Sequence, residues 1–252
     1  MDKKIALVTG GSRGLGKDMA LSLGKKGIDV MLTYHTNQEE AEKVVREIES
    51  GGQTAAALRF DAGDVGGVDG FMEEMRKVLK NKWDRDRFDF LINNAGVGAT
   101  IPISTVREED FDRLVNIHFK SVYFLTQKSI QIMNDQGAVI FISSGTTRFV
   151  VPGYSVYSSA KGAVEVFSRA VAAEFGNRGI RSNVVAPGPI ETDFNNAGIR
   201  NNPQYKSMLT ARTALGRVGN AGDIGTVVSF LCTDDARWVN GQRIEVTGGI
   251  NL

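Results

Sequence analysis

The chain has 252 residues, enough for one substantial hydrophobic core, and a single α/β domain of this size is ordinary. Its 30 basic and 29 acidic residues give a net charge of +1, with no basic block suited to a nucleic-acid backbone. One cysteine and two histidines are too few for an intrachain disulfide or a Cys/His metal cluster, and no apolar run approaches the ~20 residues that span a bilayer.

Short apolar segments alternate with amphipathic segments along the whole chain. We predict strands near residues 4–9, 28–33, 54–60, 88–92, 137–142, 180–185 and 242–246. We predict helices near residues 15–26, 38–50, 66–80, 107–133, 155–176 and 222–231. This alternation favours a parallel sheet with helices on both faces. With no repeat or linker visible, we expect one domain over residues 1–252, and the charged residues after Met1 indicate no secretory segment.

The first predicted strand is joined to the first helix by a glycine-rich turn that contains Gly10, Gly14 and Gly16. Glycine allows a tight turn and a close approach of the backbone to a bound group. A helix N-terminus offers unpaired N–H groups to a pyrophosphate. The spacing is G-x-x-x-G-x-G rather than G-x-G-x-x-G. We interpret the turn as a dinucleotide-binding site; the alternative is a connection that is merely rich in glycine.

Tyr157 and Lys161 are four residues apart in a predicted helix. Residues at this spacing are only roughly 40° apart around the helix axis, so both side chains lie on one face. A phenol has an ordinary pKa of about 10, and a nearby positive charge lowers a phenol pKa by favouring the phenolate. The pair therefore predicts a tuned proton donor and acceptor, although the same spacing also arises by chance on surface helices.

The segment between residues 187 and 219 is polar and long for a connection. Long excursions in compact domains are often lids or binding loops, so we assign substrate recognition to residues 188–219. Further along, Cys232 ends the apolar run VVSFLC, and we interpret it as a core residue rather than a nucleophile.

Five motifs, in order and at matching spacing, resemble the short-chain dehydrogenase/reductase superfamily over nearly the whole chain. They are TGGSRGLG at 9–16, NNAG at 93–96, Asn116 in VNIHF, Ser144 thirteen residues before Tyr157 of YSSAK, and APGPIET at 186–192. The broad resemblance is to 3-oxoacyl-carrier-protein reductases and to sugar or polyol dehydrogenases. It implies a single-domain Rossmann-type α/β fold, doubly wound, with a seven-stranded parallel sheet flanked by helices on both faces.

The resemblance also implies four catalytic residues. Tyr157 would be the general acid in carbonyl reduction and the general base in the reverse direction. Lys161 would bind the nicotinamide ribose and lower the pKa of Tyr157. Ser144 would hydrogen-bond the substrate oxygen. Asn116 would orient a water that links Lys161 to solvent.

Each of these residues also has a structural interpretation. Asn116 would equally satisfy backbone groups at a helix kink, and Ser144 would equally be a polar residue at a strand end, with Ser143 as the competing serine. His118 is interpreted as a packing or surface residue, because the family pattern uses no histidine there.

The residues at the end of the second strand favour NADP(H), with NAD(H) as the alternative. NAD-specific members place a carboxylate where this chain has Tyr34 and His35. Arg13, after Ser12, is placed to pair with a 2′-phosphate. Asp61 would hold the adenine by resemblance, or cap a turn. The residues expected to contact the cofactor are Gly10, Ser12, Arg13, Gly14, Leu15, Gly16, Tyr34, His35, Asp61, Ala62, Asn94, Ala95, Gly96, Tyr157, Lys161, Pro187, Gly188, Ile190 and Thr192.

The sequence thus predicts a cytoplasmic NADP(H)-dependent oxidoreductase that interconverts a small-molecule carbonyl and a secondary alcohol, without nucleic-acid, membrane or metal partners. A carrier-protein substrate needs a cationic surface, for which Arg178 and Arg181 supply only some charge. A sugar or polyol substrate is also compatible with the motifs, and so is a non-catalytic regulator that senses NADP. By resemblance, the helices at 107–133 and 155–176 form a homo-oligomer contact, in a dimer or a tetramer.

Overall fold

Seven parallel strands form the centre of the protein in a computed structural model that describes residues 3–252, so that Met1 and Asp2 lie outside the described residues. The strands are β1 Ile5–Val8, β2 Asp29–Tyr34, β3 Ala55–Arg59, β4 Phe88–Asn93, β5 Met133–Ile142, β6 Arg181–Pro187 and β7 Arg243–Val246. Their order in the sheet is β3-β2-β1-β4-β5-β6-β7, and every pairing is parallel. The predicted fold class is therefore confirmed.

Helices cover both faces of this sheet. They are α1 Gly14–Lys25, α2 Gln38–Ser50, α3 Val68–Trp83, α4 Glu108–Val115, α5 Ser121–Gln131, α6 Ser155–Phe175, α7 Phe194–Ala197, α8 Pro203–Ala211 and α9 Gly222–Leu231. The helix predicted over 107–133 is divided by a π-helical segment, Asn116–Lys120. The connection at 188–219 also differs from the prediction, since it contains α8 and the short segment α7, which is a turn with left-handed backbone angles at Asn195 and Asn196. None of the helices within residues 3–252 has the length and apolarity that a bilayer-spanning segment requires.

Two apolar clusters, one on each face of the sheet, form the core. Alternate residues of β1 point into different clusters: Ala6 and Val8 pack with α1, α2 and α9, whereas Ile5 and Leu7 pack with α3, α5 and α6. All four residues of β1 are fully buried. This two-sided burial explains why the strand is a continuous apolar run rather than an alternation of polar and apolar residues.

The strand order places a cleft at one edge of the sheet. From β1 the chain proceeds outward to β2 and β3, then returns to β4 on the other side of β1. The connections that follow β1 and β4 therefore run in opposite directions, which leaves a crevice beyond the carboxyl ends of these strands. Ligands of open α/β sheets bind at such a point.

Candidate active site

A cavity of about 910 Å³ lies at this edge of the sheet. It is lined by every residue predicted to contact a cofactor, together with Ser144. Asn116 is not among the lining residues. A cavity of this size lies in the range of ligand pockets, roughly 300–1,000 Å³. The fold thus brings together predicted residues that are far apart in the chain, from the first strand to the segment after β6.

The glycine turn forms one wall of the cavity. Gly10 and Gly14 have φ angles of 66° and 55°, in the left-handed region that favours glycine. A Cβ at Gly16 would lie 2.0 Å from the carbonyl oxygen of Gly10, so no side chain fits there. At the start of α1, the N-cap residue Arg13 makes no side-chain cap hydrogen bond. The first-turn amides of α1 thus have no side-chain cap, which fits the binding of a pyrophosphate.

The loop after β4 is tied to this turn by hydrogen bonds. The Asn94 side chain donates to the carbonyls of Thr9 and Gly10 at 2.8 and 3.2 Å. The Thr9 hydroxyl accepts from the amides of Asn94 and Ala95, both at 2.9 Å. The glycine turn and the loop after β4 are therefore joined by hydrogen bonds and line the cavity together.

Tyr157 and Lys161 lie together on α6, as their spacing predicts. The Lys161 ammonium donates to the carbonyl of Ile142 at 2.7 Å and lies 5.8 Å from the centre of the Tyr157 ring. Burial raises the pKa of the Tyr157 phenol to about 12, although the Ser144 hydroxyl acts to lower it. Burial also lowers the pKa of Lys161 to about 8.

The expectation that Lys161 lowers the pKa of Tyr157 is not met in the protein alone. The phenol pKa is raised because loss of solvent disfavours the phenolate more than neighbouring groups stabilise it. The ammonium is directed at a main-chain carbonyl rather than at the phenol oxygen.

Ser144 follows the end of β5 and is free to face the cavity, whereas the competing Ser143 is committed elsewhere. The Ser143 hydroxyl donates to Glu165 at 2.5 Å, and this residue is buried. The Ser144 hydroxyl accepts from the amide and the hydroxyl of Thr146 at 3.2 and 3.0 Å. The main-chain carbonyl of Ser144 also accepts a hydrogen bond from the Arg243 guanidinium at 3.3 Å. This loop is therefore held by the end of the sheet as well as by α6.

The adenine end of the predicted site contains one acidic residue that the sequence analysis did not include. Glu40 of α2 lines the cavity, but its carboxylate lies 2.7 Å from the Lys43 ammonium. Asp61 accepts a hydrogen bond from the amide of Gly63 at 2.8 Å and contacts His35 at 3.3 Å. The side chain of Asp61 therefore caps the turn after β3, as one of its two predicted roles requires. Arg13 is exposed and has no ion pair among residues 3–252.

Two aromatic rings lie beside Tyr157: Phe194 belongs to the segment predicted to bind the substrate, whereas Tyr154 was missed. Tyr154 and Phe194 lie with their ring centres 5.9 and 6.2 Å from that of Tyr157. The Asn195 side chain donates to the Tyr154 hydroxyl at 2.9 Å, which joins the 188–219 segment to α6. Tyr154 was detectable in the sequence, because it is only three residues before Tyr157, at the N-cap position of α6. His118, a buried residue that contacts Tyr157, gave no such signal.

Comparisons with known proteins agree with this geometry. The family model described as enoyl-(acyl carrier protein) reductase matches residues 10–251. A hydroxynaphthalene reductase-like protein, Arp2 of Metarhizium brunneum, is 35% identical over 257 residues, which cover 98% of this chain and 94% of that protein. The chain belongs to the short-chain dehydrogenase/reductase superfamily. Versicolorin reductase stcU of Emericella nidulans, a further relative of this short-chain oxidoreductase, is 34% identical over 99% of the chain and 96% of that protein.

Solved structures resemble this short-chain oxidoreductase equally closely. The angucycline C-6 ketoreductase LanV, crystallised with NADP, superimposes with a TM-score of 0.93 at 35% identity, covering 98% of this chain and 95% of that one. A blue fluorescent protein from a metagenomic library, in complex with NADPH, gives a TM-score of 0.88 at 32% identity, with 98% of each chain covered. Together these likenesses support an oxidoreductase acting between a carbonyl and an alcohol.

Proposed function

We propose that the protein is an NADP(H)-dependent ketone reductase in which Tyr157 is the general acid. The observation that carries this proposal is the convergence of Ser144, Tyr157 and Lys161 on the cavity that also contains the glycine turn. A glycine turn alone would support only binding. The addition of a buried phenol, a hydroxyl and an ammonium at the same cavity supplies groups for carbonyl chemistry.

The side chains divide the work of reduction among them. The nicotinamide, when bound, supplies hydride to the carbonyl carbon. Ser144 donates a hydrogen bond to the substrate oxygen, and Tyr157 delivers a proton to it. A phenol with a pKa of about 12 remains protonated at neutral pH, which suits a proton donor. Lys161, with a pKa of about 8, remains largely charged there and stabilises the phenolate that forms.

NADP(H) is the cofactor we assign, for two reasons. Arg13 is an exposed guanidinium beside the glycine turn, and Tyr34 lines the cavity where a carboxylate would repel a 2′-phosphate. Two acidic lining residues were not predicted, and both are paired within the fold: Glu40 with Lys43, and Asp193 with Arg200. LanV and the metagenomic protein, which resemble this chain, were crystallised with NADP and NADPH.

The substrate we propose is a ketone on a flat, fused-ring aromatic compound. Tyr154 and Phe194 flank Tyr157, and Phe149 and Tyr205 also line the cavity. Aromatic faces stack favourably on other rings, in offset or edge-on arrangements. Several relatives are named for hydroxynaphthalene, versicolorin and angucycline reduction, which agrees with this wall of rings. We place the ring-binding surface in the 188–219 segment and at the start of α6.

The carrier-protein alternative is weakened by the arginines on which it would rely. Arg178 donates to the carbonyls of Ile130 and Met133 and pairs with Asp135 at 2.7 Å. Arg181 is buried and donates to the carbonyl of Leu231. Both guanidinium groups are therefore engaged within the fold rather than available to an acidic partner.

We also propose a homo-oligomer, in which α4, α5 and α6 meet a second copy. These helices expose the large apolar residues Phe111, Tyr123 and Val166. Light scattering coupled to size-exclusion chromatography measures the assembly directly, and a monomer at working concentration contradicts this proposal.

The decisive experiment is consumption of NADPH with a panel of ketones, using wild type and Tyr157→Phe. Wild type should reduce a fused-ring hydroxyketone faster than an acyl thioester or a keto sugar. Tyr157→Phe should lower kcat by about 10²–10⁴-fold, because it removes the proton donor. The Kd for NADPH, measured by fluorescence, should remain near the wild-type value. A variant that retains full turnover contradicts the role of Tyr157, and binding without turnover of any ketone supports a sensor instead.

A further inference from the structure

His118 is a buried side chain that contacts the active site but has no role in the mechanism above. It belongs to the π-helical segment between α4 and α5 and is 1% exposed. Its ring meets the Tyr157 ring at 83°, with centres 4.9 Å apart. A π-turn widens the helix by one residue, and such single turns are frequent at functional sites. In this segment the wide turn is closed by a hydrogen bond from the Ser121 amide to the Asn116 carbonyl.

One ring nitrogen of His118 holds the loop that follows β4. Nε2 lies 2.8 Å from the carbonyl oxygen of Val97 and 3.4 Å from the Val97 amide. The shorter contact requires Nε2 to carry the proton and to donate it to the carbonyl. The residue thus attaches the 94–97 loop to the helix that precedes α5.

The other ring nitrogen has no hydrogen-bond partner in the part of the chain that the structure describes. Nδ1 is buried and makes no hydrogen bond within residues 3–252. A Cβ at Gly96 would lie 2.7 Å from Cε1 and 3.2 Å from Nδ1, so the loop backbone packs directly on the ring. A proton on Nδ1 would therefore be a buried charge without compensation.

The groups that face the ring also oppose its protonation. Burial lowers the pKa of His118 to about 3, and the positive charges of Lys161 on α6 and Arg113 on α4 act in the same direction. The Val97 carbonyl acts in the opposite direction but does not overcome them. An imidazole that stays neutral across the working pH range cannot exchange protons with Tyr157 in each catalytic cycle.

We propose that His118 is a positioning residue for the reaction: a neutral brace that holds the 94–97 loop by one hydrogen bond and supports the Tyr157 ring by its edge. This inference rests on the proposed role of Tyr157. The brace joins two parts of the site that are distant in sequence, the loop expected to face the cofactor and the phenol expected to donate the proton. Small displacements of such groups are costly, of the order of 10²-fold in rate for about 1 Å.

The test compares three variants. His118→Leu removes the hydrogen bond to Val97 while leaving apolar bulk, whereas His118→Gln places an amide donor near the position of Nε2. Lys120→Ala is the matched control, because Lys120 belongs to the same segment but is exposed. We expect His118→Leu to lower kcat at saturating NADPH about tenfold or more, and His118→Gln to recover most of that loss.

The outcomes separate a brace from a passive core residue and from a proton-transferring one. Equal activity of His118→Leu and Lys120→Ala overturns the proposal, as does a loss of kcat in His118→Gln as large as that in His118→Leu. A pH–rate profile that loses a limb in His118→Gln also overturns it, because that result assigns proton transfer to the histidine.

A second measurement does not depend on turnover or on the folding of a variant. Nitrogen-15 NMR of the wild-type histidines should show one neutral ring, protonated at Nε2, from pH 8 to pH 5. A His118 ring that protonates near its ordinary pKa overturns the brace even if ketone reduction is confirmed. If the enzyme reduces no ketone while the ring behaves as expected, the proposed function fails and the account of the ring stands.

Discussion

The phenol of Tyr157 and the ammonium of Lys161 are shifted in opposite directions by one cause, their burial. The pKa of the phenol rises to about 12 and that of the ammonium falls to about 8. In each case burial favours the neutral form. At neutral pH both groups nevertheless hold their protons, so the protein is prepared to give a proton rather than to take one. This protonation state is the one that the proposed ketone reduction requires of its proton donor.

His118 predicts a specific pH dependence of stability. Its folded-state pKa of about 3 is below its ordinary value of 6.5, so the unfolded chain takes up the proton first as the pH falls. The stability contributed by the neutral buried ring is present above pH 6.5 and is lost progressively as the pH falls toward 3. Between pH 8 and pH 5 the loss should be about 2 kcal/mol.

Urea unfolding of wild type and His118→Gln at pH 8 and pH 5 measures this loss. The free energy of unfolding of the glutamine variant should fall less, by about 2 kcal/mol, between these two pH values. All other titrating groups are shared by the two proteins, so they cancel in the comparison. Parallel losses in both proteins would mean that the ring is protonated in the folded state.

At the scale of elements, the turn between β1 and α1 and the end of β2 predict cofactor choice. Arg13→Ala should weaken NADPH binding about tenfold or more, because a charged hydrogen bond contributes about 1.5–3 kcal/mol. NADH binding should change little. Lys17→Ala is the control, since Lys17 lies on α1 four residues after Arg13 but pairs with Glu47 at 3.2 Å.

The end of β2 gives a second prediction: Tyr34→Asp should shift the cofactor preference from NADPH toward NADH, because a carboxylate repels the 2′-phosphate. Fluorescence titration with both cofactors measures each ratio, and unchanged ratios would place the 2′-phosphate elsewhere.

The short helix α7 predicts substrate preference. Phe194, at its start, is 45% exposed and lies beside Tyr157. Phe194→Ala should raise the KM for a fused-ring ketone about fivefold, because ring stacking contributes about 1 kcal/mol, and should scarcely affect a small aliphatic ketone. Phe230→Ala is the control: Phe230 is similarly exposed, at 41%, on α9 and does not line the cavity. Similar changes for both ketones would place the ring-binding surface elsewhere.

The elements that could be predicted are those encoded by local signals. β1 was predicted because its apolar run ends in a glycine turn, and α2, predicted over 38–50, has those bounds. The early start of β5 was missed, since its register against β4 shifts between Phe88 and Phe90 and Gln136 has a φ of 64°. The π-helical segment was missed as well, because helical periodicity continues through it. Helix α8 was missed although it has local signals, since Asn202 caps the Tyr205 amide and Pro203 is its first residue. The turn at α7 has positive φ angles at Asn195 and Asn196, which no helical periodicity predicts.

At the scale of the molecule, the meeting of distant motifs at one cavity could be predicted from the sequence. The side chains that pack around Tyr157 could not. Parallel strands joined by crossovers end at one edge, so the segments after β1, β4, β5 and β6 had to meet there. The assignment of roles to Ser144, Tyr157 and Lys161 remains a prediction that the cavity supports. The contact of His118 with Tyr157 depends on the packing of one helix on another, which spacing along the chain does not reveal.

Cys232 provides a probe of the whole fold. It packs in the cluster formed by α1, α2 and α9, and burial raises the pKa of its thiol to about 12. We expect no alkylation by iodoacetamide in the folded protein at pH 8 and complete alkylation in urea, as measured by mass spectrometry, because the thiolate is the reactive form. The rate of labelling should then follow the population of opened molecules. Rapid labelling of the native protein would contradict the burial of Cys232 in this cluster.

The close approach of the loop to the imidazole also limits which side chains positions 96 and 118 can carry together. Any side chain at position 96 would begin 2.7 Å from the ring of His118, so the two side chains exclude each other unless the backbone moves. Alanine at 96 beside histidine at 118 is therefore accommodated only if the loop or the ring shifts. A Gly96→Ala variant should accordingly fold less stably than the wild type.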